Sequence, residues 1–314
     1  MTHTVFIDGS AGTTGLRIAE RLRHEHDIHL LTLPEAQRKD LGARLDAAAA
    51  SEVSLLCLPD EAARELVQHA PAATRICDTS TAHRNAPGWV YGFAELHGQR
   101  AAIASATRVA NPGCHASGFI ALTRPLCELG ALRRDALLTC QSLTGYSGGG
   151  KAMIAEYEAE SRPAALNAPR LYGLSLQHKH LPEMRAQSTL AHAPLFMPVV
   201  APFYSGMLVS VPLFAAQLAD GFADGKRLAE LLADYYADEP LVRVQPFAPT
   251  ASVATLAANA LAGRDDMQLF VFANGEGQLL LCALFDNLGK GASGAAVQNL
   301  NLMLGRAETA GLVY

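Results

Sequence analysis

Long apolar runs are missing from this chain. In 314 residues no stretch reaches the roughly 18 apolar positions that a membrane-crossing helix needs. An excess of one charge is missing too: 25 Lys and Arg stand against 30 Asp and Glu, a formal net charge of −5, and the charges are scattered. Such a balance offers no footprint for nucleic acid or for an anionic membrane. Cysteine is sparse and dispersed: Cys57, Cys77, Cys114, Cys127, Cys140 and Cys282 never approach CxxC spacing. That excludes a zinc ribbon or a disulfide framework and predicts a reducing, cytoplasmic setting. The opening MTHTVFIDGSAGTTG runs at once into a strand and a glycine turn, without the pattern of a leader peptide. Internal repeats and low-complexity linkers are also missing.

What is abundant is core material. Half of the residues are apolar, and 314 residues exceed what a single core usually serves, so two domains are expected. Over the first hundred residues short apolar runs alternate with amphipathic stretches. Strands are predicted at Thr4–Asp8, Ile28–Leu33, Val53–Leu58 and Arg75–Asp78, and helices at Thr14–His26, Glu35–Ala50 and Pro59–His69. In the first helix Leu16, Ala19 and Leu22 form the expected apolar face. Strand–helix alternation of this kind builds a doubly wound parallel sheet. Beyond about Asn111 the rhythm changes. A long helix is predicted near Pro112–Cys114, then a strand at Ala136–Leu143 and a helix from Lys151. Further strands are expected at Val199–Phe203 and Met207–Phe214, and a helix at Asp224–Ala237. Met267–Ala273 and Gln278–Phe285 flank Asn274-Gly275-Glu276-Gly277, a hairpin signal. This half reads as an α+β domain with a mixed or antiparallel sheet, and the tail from Lys290 to Leu304 as a last helix.

Three segments carry chemistry. Gly9, Gly12 and Gly15 form GxxGxxG between the first strand and first helix, with Ser10, Thr13 and Thr14 among them. Glycines there let a pyrophosphate rest on amides at the helix N-terminus, the arrangement of a dinucleotide site. The second strand ends without the carboxylate that would hold a ribose 2′-hydroxyl, while Arg38 and Lys39 follow. A 2′-phosphate, hence NADP(H), is the expected ligand. Cys114 opens a helix in Asn111-Pro112-Gly113-Cys114-His115. The positive helix end stabilises thiolate, which makes Cys114 the candidate nucleophile among six thiols; the other five read as buried in strands or helices. His178 and His180 flank Lys179 ahead of Pro182 and supply a candidate acid/base. As an HxH pair they lack further ligands at metal spacing, so no metal is expected. Gly145-Tyr146-Ser147-Gly148-Gly149 fits the GxSxG of serine hydrolases, but a hydrolase leaves the dinucleotide turn without a role. Its other use is to wrap a substrate.

Taken in order, GSAGTTGL, DTSTAHR (Asp78–Arg84), GWVYGFAEL (Gly88–Leu96), ANPGCHASGF (Ala110–Phe119), TGYSGGGK (Thr144–Lys151), HKHLPEM (His178–Met184) and FDNLGKGASGAAVQN (Phe285–Asn299) resemble the segments of the N-acetyl-gamma-glutamyl-phosphate reductases in their shorter form. The resemblance implies a fold like that of glyceraldehyde-3-phosphate dehydrogenase. Residues 1–112 would bind the dinucleotide, completed by 287–314, and residues 113–286 would carry catalysis and oligomerisation. It implies NADPH-dependent reduction of an acyl phosphate to a semialdehyde and phosphate in arginine biosynthesis, with Cys114 as nucleophile and His180 as acid/base. His178 stays a rival for that role and otherwise joins the substrate site. Asn287 would hold the nicotinamide amide. Arg84 and Arg108 are candidates for substrate phosphate or carboxylate, with Asn111 and Ser147 beside them. His115 departs from the family, which often has Tyr there. A homo-oligomer, dimer or tetramer, is expected from the same analogy. Aspartyl phosphate or a carrier-bound aminoadipyl phosphate are the rival substrates, and a non-catalytic NADP sensor is the rival of another class.

Overall fold

The computed structural model describes residues 2–247 and 253–314. These fall into two compact units: one holds the chain as far as Gly113 together with Ala292–Val313, the other runs from Cys114 to Gly291.

In the first unit the chain alternates β1 (His3–Asp8), α1 (Thr13–Leu22), β2 (Ile28–Leu31), α2 (Leu41–Ala50), β3 (Val53–Leu56), α3 (Asp60–His69) and β4 (Ile76–Asp78), then adds β5 (Val90–Tyr91), α4 (Gln99–Ser105) and β6 (Arg108–Ala110). All six strands pair in parallel, in the order β2-β1-β3-β4-β6-β5. Val5–Asp8 and all of β3 are buried, as central parallel strands covered on both faces must be. β2 lies on one side of β1 and β3 on the other, so a crevice opens at the carboxyl ends of β1 and β3. The buried stripe of α1 is Gly15, Ile18, Ala19 and Leu22, an i, i+3, i+4, i+7 seam. The sequence expectation differed here: Leu16 is 42% exposed and takes no part in that face. α2 is also shorter than expected. Glu35–Gln37 form a separate 3-10 turn, and Asp40 restarts the helix by accepting from Ala43 N at 2.7 Å. The final helix, Gly294–Leu304, returns to this unit: its Ala296, Val297, Leu300 and Met303 share a core with Ile18, Leu22, Leu55 and Ile103.

The second unit begins with α5 (Cys114–Glu128), followed by β7 (Thr139–Gly145), α6 (Gly150–Glu158), β8 (Arg170–Leu171), α7 (Leu181–Gln187), β9 (Leu195–Ala201), β10 (Met207–Phe214), α8 (Gly225–Tyr235), β11 (Val242–Val244), β12 (Met267–Ala273) and β13 (Gln278–Phe285). Its sheet is mixed, in the order β11-β12-β13-β10-β7-β9-β8, with β11/β12 and β7/β9 parallel and the other pairs antiparallel. The β12–β13 hairpin has the bounds its turn signal gives, closed by the Asn274 side chain accepting from Glu276 N and Gln278 N. β9 starts before its expected bound because Pro198 does not end it: the Pro198 carbonyl accepts from Tyr172 N at 3.0 Å.

One face of this sheet, with Val209, Val211, Leu281, Ala283 and Phe285, packs under α5 and α8. α5 is buried along most of its length although Pro125 sits inside it. Proline removes the N–H that would satisfy the Ala121 carbonyl, and Tyr236 Oη supplies the missing donor at 2.9 Å. By register the opposite face carries Leu143, Met197, Val199, Leu208, Pro212, Phe270, Phe272 and Leu280, all at least partly exposed, together with the buried Cys282 and Leu284. Among the described residues no helix is long and apolar enough to cross a membrane.

Candidate active site

The glycine turn occupies the crevice of the first sheet. Gly9 follows β1 directly at φ +83°, in the left-handed region, and a Cβ there would run into the Cys57 carbonyl. The first intrahelical bond of α1 is Leu16 N to Gly12 O, so the amides of Thr13, Thr14 and Gly15 lie in the first turn, where no helical carbonyl precedes them. A cleft of about 210 Å³ lies beside them, lined by Asp8, Gly9, Ser10, Ala11, Leu33 and Arg38 among others. Arg38 is exposed in the short turn before Asp40. Lys39 is exposed next to it. Below the turn Arg44 of α2 donates to Asp8 at 2.8 Å, both side chains about 5% exposed. Burial raises the Asp8 carboxyl above its ordinary range even so, against the lowering effect of Arg44.

Cys114 is the first residue of α5 and is half-buried. Gly291 comes so close that an added Cβ would lie 2.9 Å from the Cys114 Cβ, so only hydrogen fits there. The other five thiols differ. Burial pushes Cys57 up to about 12 and Cys127 to about 11, and raises Cys77, Cys140 and Cys282 as well. None of these five supplies thiolate near neutral pH. Cys57 also corrects its expected place, since it follows β3 rather than lying inside it.

Histidines gather around His115, the residue that follows Cys114. His115 is buried, with its ring centre 5.4 Å from His180 and 5.7 Å from His178. The two rings of the HxH segment meet edge to face at 4.9 Å. Their turn ends where α7 starts, because Pro182 is tolerated only in a first helical turn. His178 Nδ1 accepts from His180 N at 3.3 Å, which leaves its proton on Nε2. Burial, with Lys179 nearby, holds His178 below its usual range. His115 falls much further, to about 3, because its burial disfavours the charged ring and His178 and Lys179 add to that. Its Nδ1 meets Ser142 Oγ at 2.7 Å and its Nε2 meets Tyr172 Oη at 2.8 Å. Sequence reasoning noted His115 only as a departure and missed Ser142 and Tyr172. Tyr172 follows a strand of two residues, too short for any periodicity to register.

Several expected site residues also hold neighbouring backbone or side chains in place. Arg84 is buried, and donates to the carbonyls of Asn111 at 3.0 Å and Thr79 at 3.2 Å. Arg108 donates to the carbonyls of Thr74 and, at 3.1 Å, Pro71. Both guanidiniums thus brace main chain within the first unit. Asn111 accepts from Asn299 Nδ2 at 2.9 Å and donates to the Ala292 carbonyl at 3.2 Å, which ties the returning tail to the end of β6. Asn287 Oδ1 accepts from Gly206 N at 2.8 Å and its Nδ2 donates to Ser147 Oγ at 3.0 Å. Ser147 is thus a buried anchor of its glycine-rich turn, 2% exposed, and no solvent-facing nucleophile of a GxSxG hydrolase. Among the described residues no three His, Cys, Asp or Glu come together as a metal would require.

Comparison with known proteins bears on what this arrangement serves. The family described as semialdehyde dehydrogenase, dimerisation domain, matches residues 114–287. N-acetyl-gamma-glutamyl-phosphate reductase of Brucella anthropi is 49% identical over 98% of this chain and 100% of its own length. That of Burkholderia orbicola is 48% identical over 98% of this chain and 99% of its own. The chain belongs to the N-acetyl-gamma-glutamyl-phosphate reductase family. Among solved structures, aspartate semialdehyde dehydrogenase II from Vibrio cholerae, complexed with ASA, matches with a TM-score of 0.70 at 15% identity, covering 97% of this chain and 98% of that one. The aspartate semialdehyde dehydrogenase from Candida albicans, with NADP, matches at 0.67 and 14%, covering 97% and 99%. At such identity these likenesses establish the fold, a parallel sheet and a mixed sheet with helices, as in the semialdehyde dehydrogenases.

Proposed function

We propose that this protein reduces N-acetyl-gamma-glutamyl phosphate to N-acetylglutamate semialdehyde and phosphate with NADPH, a cytoplasmic step of arginine biosynthesis, through a thioester on Cys114. The observation that carries the proposal is the half-buried Cys114 at the start of α5, followed by His115 whose ring packs with His178 and His180, in a chain 49% identical to a reductase of that name. The residues around Gly9 fit a dinucleotide: a cradle that a Cβ would fill, first-turn amides for a pyrophosphate, and Arg38 beside the cleft for a 2′-phosphate. The first unit is accordingly the dinucleotide-binding domain, discontinuous in sequence, and the second the catalytic one. Bound there, the nicotinamide supplies the hydride that the reduction consumes.

The chain's own residues do the rest. The Cys114 sulfur attacks the acyl carbon, and phosphate leaves to give the thioester; this divides one hard displacement into two easier steps. First-turn amides of α5 face the oxyanion that forms at each stage. His180, with His178 beside it, delivers the proton that accompanies collapse to the aldehyde. Asn287 and Ser147 hold the 146–149 turn in shape. The half-exposed apolar face of the second sheet, together with the dimerisation-domain match, supports a homo-oligomer formed through that face.

The deciding assay runs the purified protein in reverse with NADP, phosphate and each semialdehyde. The proposal expects N-acetylglutamate semialdehyde to be preferred, and turnover at least as good with aspartate semialdehyde would overturn it.

A further inference from the structure

We propose that Ser142, His115 and Tyr172 form a directed hydrogen-bond chain that presents the Tyr172 hydroxyl as a donor to the reacting carbonyl oxygen of the substrate. Tyr172 is then a further catalytic residue, and Ser142 and His115 are positioning residues. The inference rests on the reading of Cys114 as nucleophile.

Geometry fixes the chain. His115 follows Cys114 in the first turn of α5, and its two ring nitrogens engage Ser142 Oγ at 2.7 Å and Tyr172 Oη at 2.8 Å. The ring cannot swing away. Phe196 stands edge-on to it at 5.2 Å, with His180 at 5.4 Å and His178 at 5.7 Å on its other sides. Tyr172 is held at its backbone too, its N–H donating to the Pro198 carbonyl at 3.0 Å. Ser142 lies on β7 with no exposure at all.

Chemistry then gives the chain a direction. Burial keeps His115 neutral, with its pKa near 3, so one ring nitrogen donates and the other accepts. In one direction the Ser142 hydroxyl donates to Nδ1, Nε2–H donates to the Tyr172 oxygen, and the phenolic proton is left for another acceptor. In the other direction that proton is consumed at Nε2. The Tyr172 hydroxyl lies within electrostatic reach of the Cys114 sulfur, whose negative form raises the phenol pKa further above a value burial has already raised. Tyr172 therefore keeps its proton throughout the working range. Next to a thiolate that proton is most stable pointing towards the sulfur, which selects the first direction.

The step it serves is acylation. As the Cys114 sulfur bonds to the acyl carbon, the carbonyl π pair moves onto oxygen. The Tyr172 hydroxyl donates a hydrogen bond to that oxygen and keeps its proton. The pair then returns to reform the carbonyl while the carbon–oxygen bond to phosphate breaks, and phosphate departs with the bonding electrons.

The test measures phosphate release in rapid-quench mixing of the full-length protein with N-acetyl-gamma-glutamyl phosphate and no nucleotide. Tyr172→Phe should slow the burst by roughly 100-fold at saturating substrate, the scale of losing one oxyanion donor. Its amplitude should stay near one phosphate per chain. His115→Phe should slow it by about 10-fold, and His115→Gln, whose amide nitrogen can stand where Nε2 stood, should recover most of that loss. A Tyr172→Phe burst within about twofold of wild type overturns the proposal, as does a slowing that more substrate abolishes. Should Tyr172→Phe fold poorly, a fluorinated tyrosine at position 172 keeps the shape but loses its proton at lower pH. The burst should then fade as pH rises through that phenol's pKa, and a pH-independent burst would again overturn the proposal. Cys114→Ser separates the two levels: a surviving burst refutes the nucleophile itself, whatever Tyr172 does.

Discussion

Around Gly9–Gly15 the working groups are backbone amides and an exposed guanidinium, with side chains kept out by glycine. Around Cys114 they are side chains, packed ring against ring and hydrogen-bonded through a buried histidine. The first region has little to stabilise on its own account: its charge pair, Asp8 and Arg44, sits below the turn and holds its foundation. The second carries titratable groups in the site itself and shifts them by burial, His115 furthest. A nucleotide's phosphates need donors that never change charge. Covalent chemistry needs groups whose protonation is set. On the function proposed above, the two regions differ because their ligands make different demands.

The sharpest way to break this contrast is at Cys114. Cys114→Ser should lower turnover by about 10³-fold or more, the scale seen when a covalent nucleophile is lost, while NADPH binding measured by fluorescence titration stays within twofold or so. Matched losses of binding and turnover would mean that the two regions do not divide the work. Iodoacetamide should also label Cys114 faster than the other five thiols, which burial keeps protonated.

A second test concerns the burial of His115. Its ring is neutral in the fold, with a pKa near 3, and would titrate at the ordinary 6.5 once unfolded. Between those values the unfolded state binds the extra proton, so stability rises with pH and falls on acidification, by about 1.4 kcal/mol per unit. Urea unfolding of wild type and His115→Phe between pH 7 and pH 4.5 should therefore converge in acid, the wild type losing more. Parallel curves would mean the ring is not held neutral.

Arg44→Leu probes the foundation of the first region. It leaves the Asp8 carboxylate buried alone and should cost roughly 3–5 kcal/mol at neutral pH. The cost should shrink in acid, because a carboxyl whose folded pKa is raised takes up its proton first in the folded state. A loss below about 1 kcal/mol would make the pair incidental. The smallest effect is on cofactor choice. Replacing Arg38 and Lys39 by Ala should raise KM for NADPH by about 10-fold or more, as loss of a charge-assisted hydrogen bond would, and leave KM for NADH nearly unchanged. An unaltered ratio would put the 2′-phosphate elsewhere.

The two regions were also unequally legible in the sequence. The glycine turn is read at sight because it is contiguous, from Gly9 to Gly15, and its geometry is local to the step from β1 into α1. The β12–β13 hairpin is legible for the same reason, its turn residues being local. Cys114 was marked by its helix start, and the HxH pair by Pro182. Ser142 and Tyr172 carried no mark, since their pairing with His115 exists only once β7, β8 and α5 pack together. That Arg84, Arg108 and Asn111 also meet carbonyls was not legible, because nothing in sequence reveals a carbonyl waiting at the end of a neighbouring strand. Leu16 misled because a spacing of three fits either side of the true seam on α1.

The central claim is that the acyl group passes onto Cys114, and it can be seen directly. The protein is mixed with N-acetyl-gamma-glutamyl phosphate in the absence of nucleotide, quenched in acid, digested and analysed by mass spectrometry. The account predicts one N-acetylglutamyl group per chain, on the peptide that holds Cys114, and none in Cys114→Ser. An unmodified wild-type chain that nonetheless turns over, or an acyl group on any other residue, would contradict it.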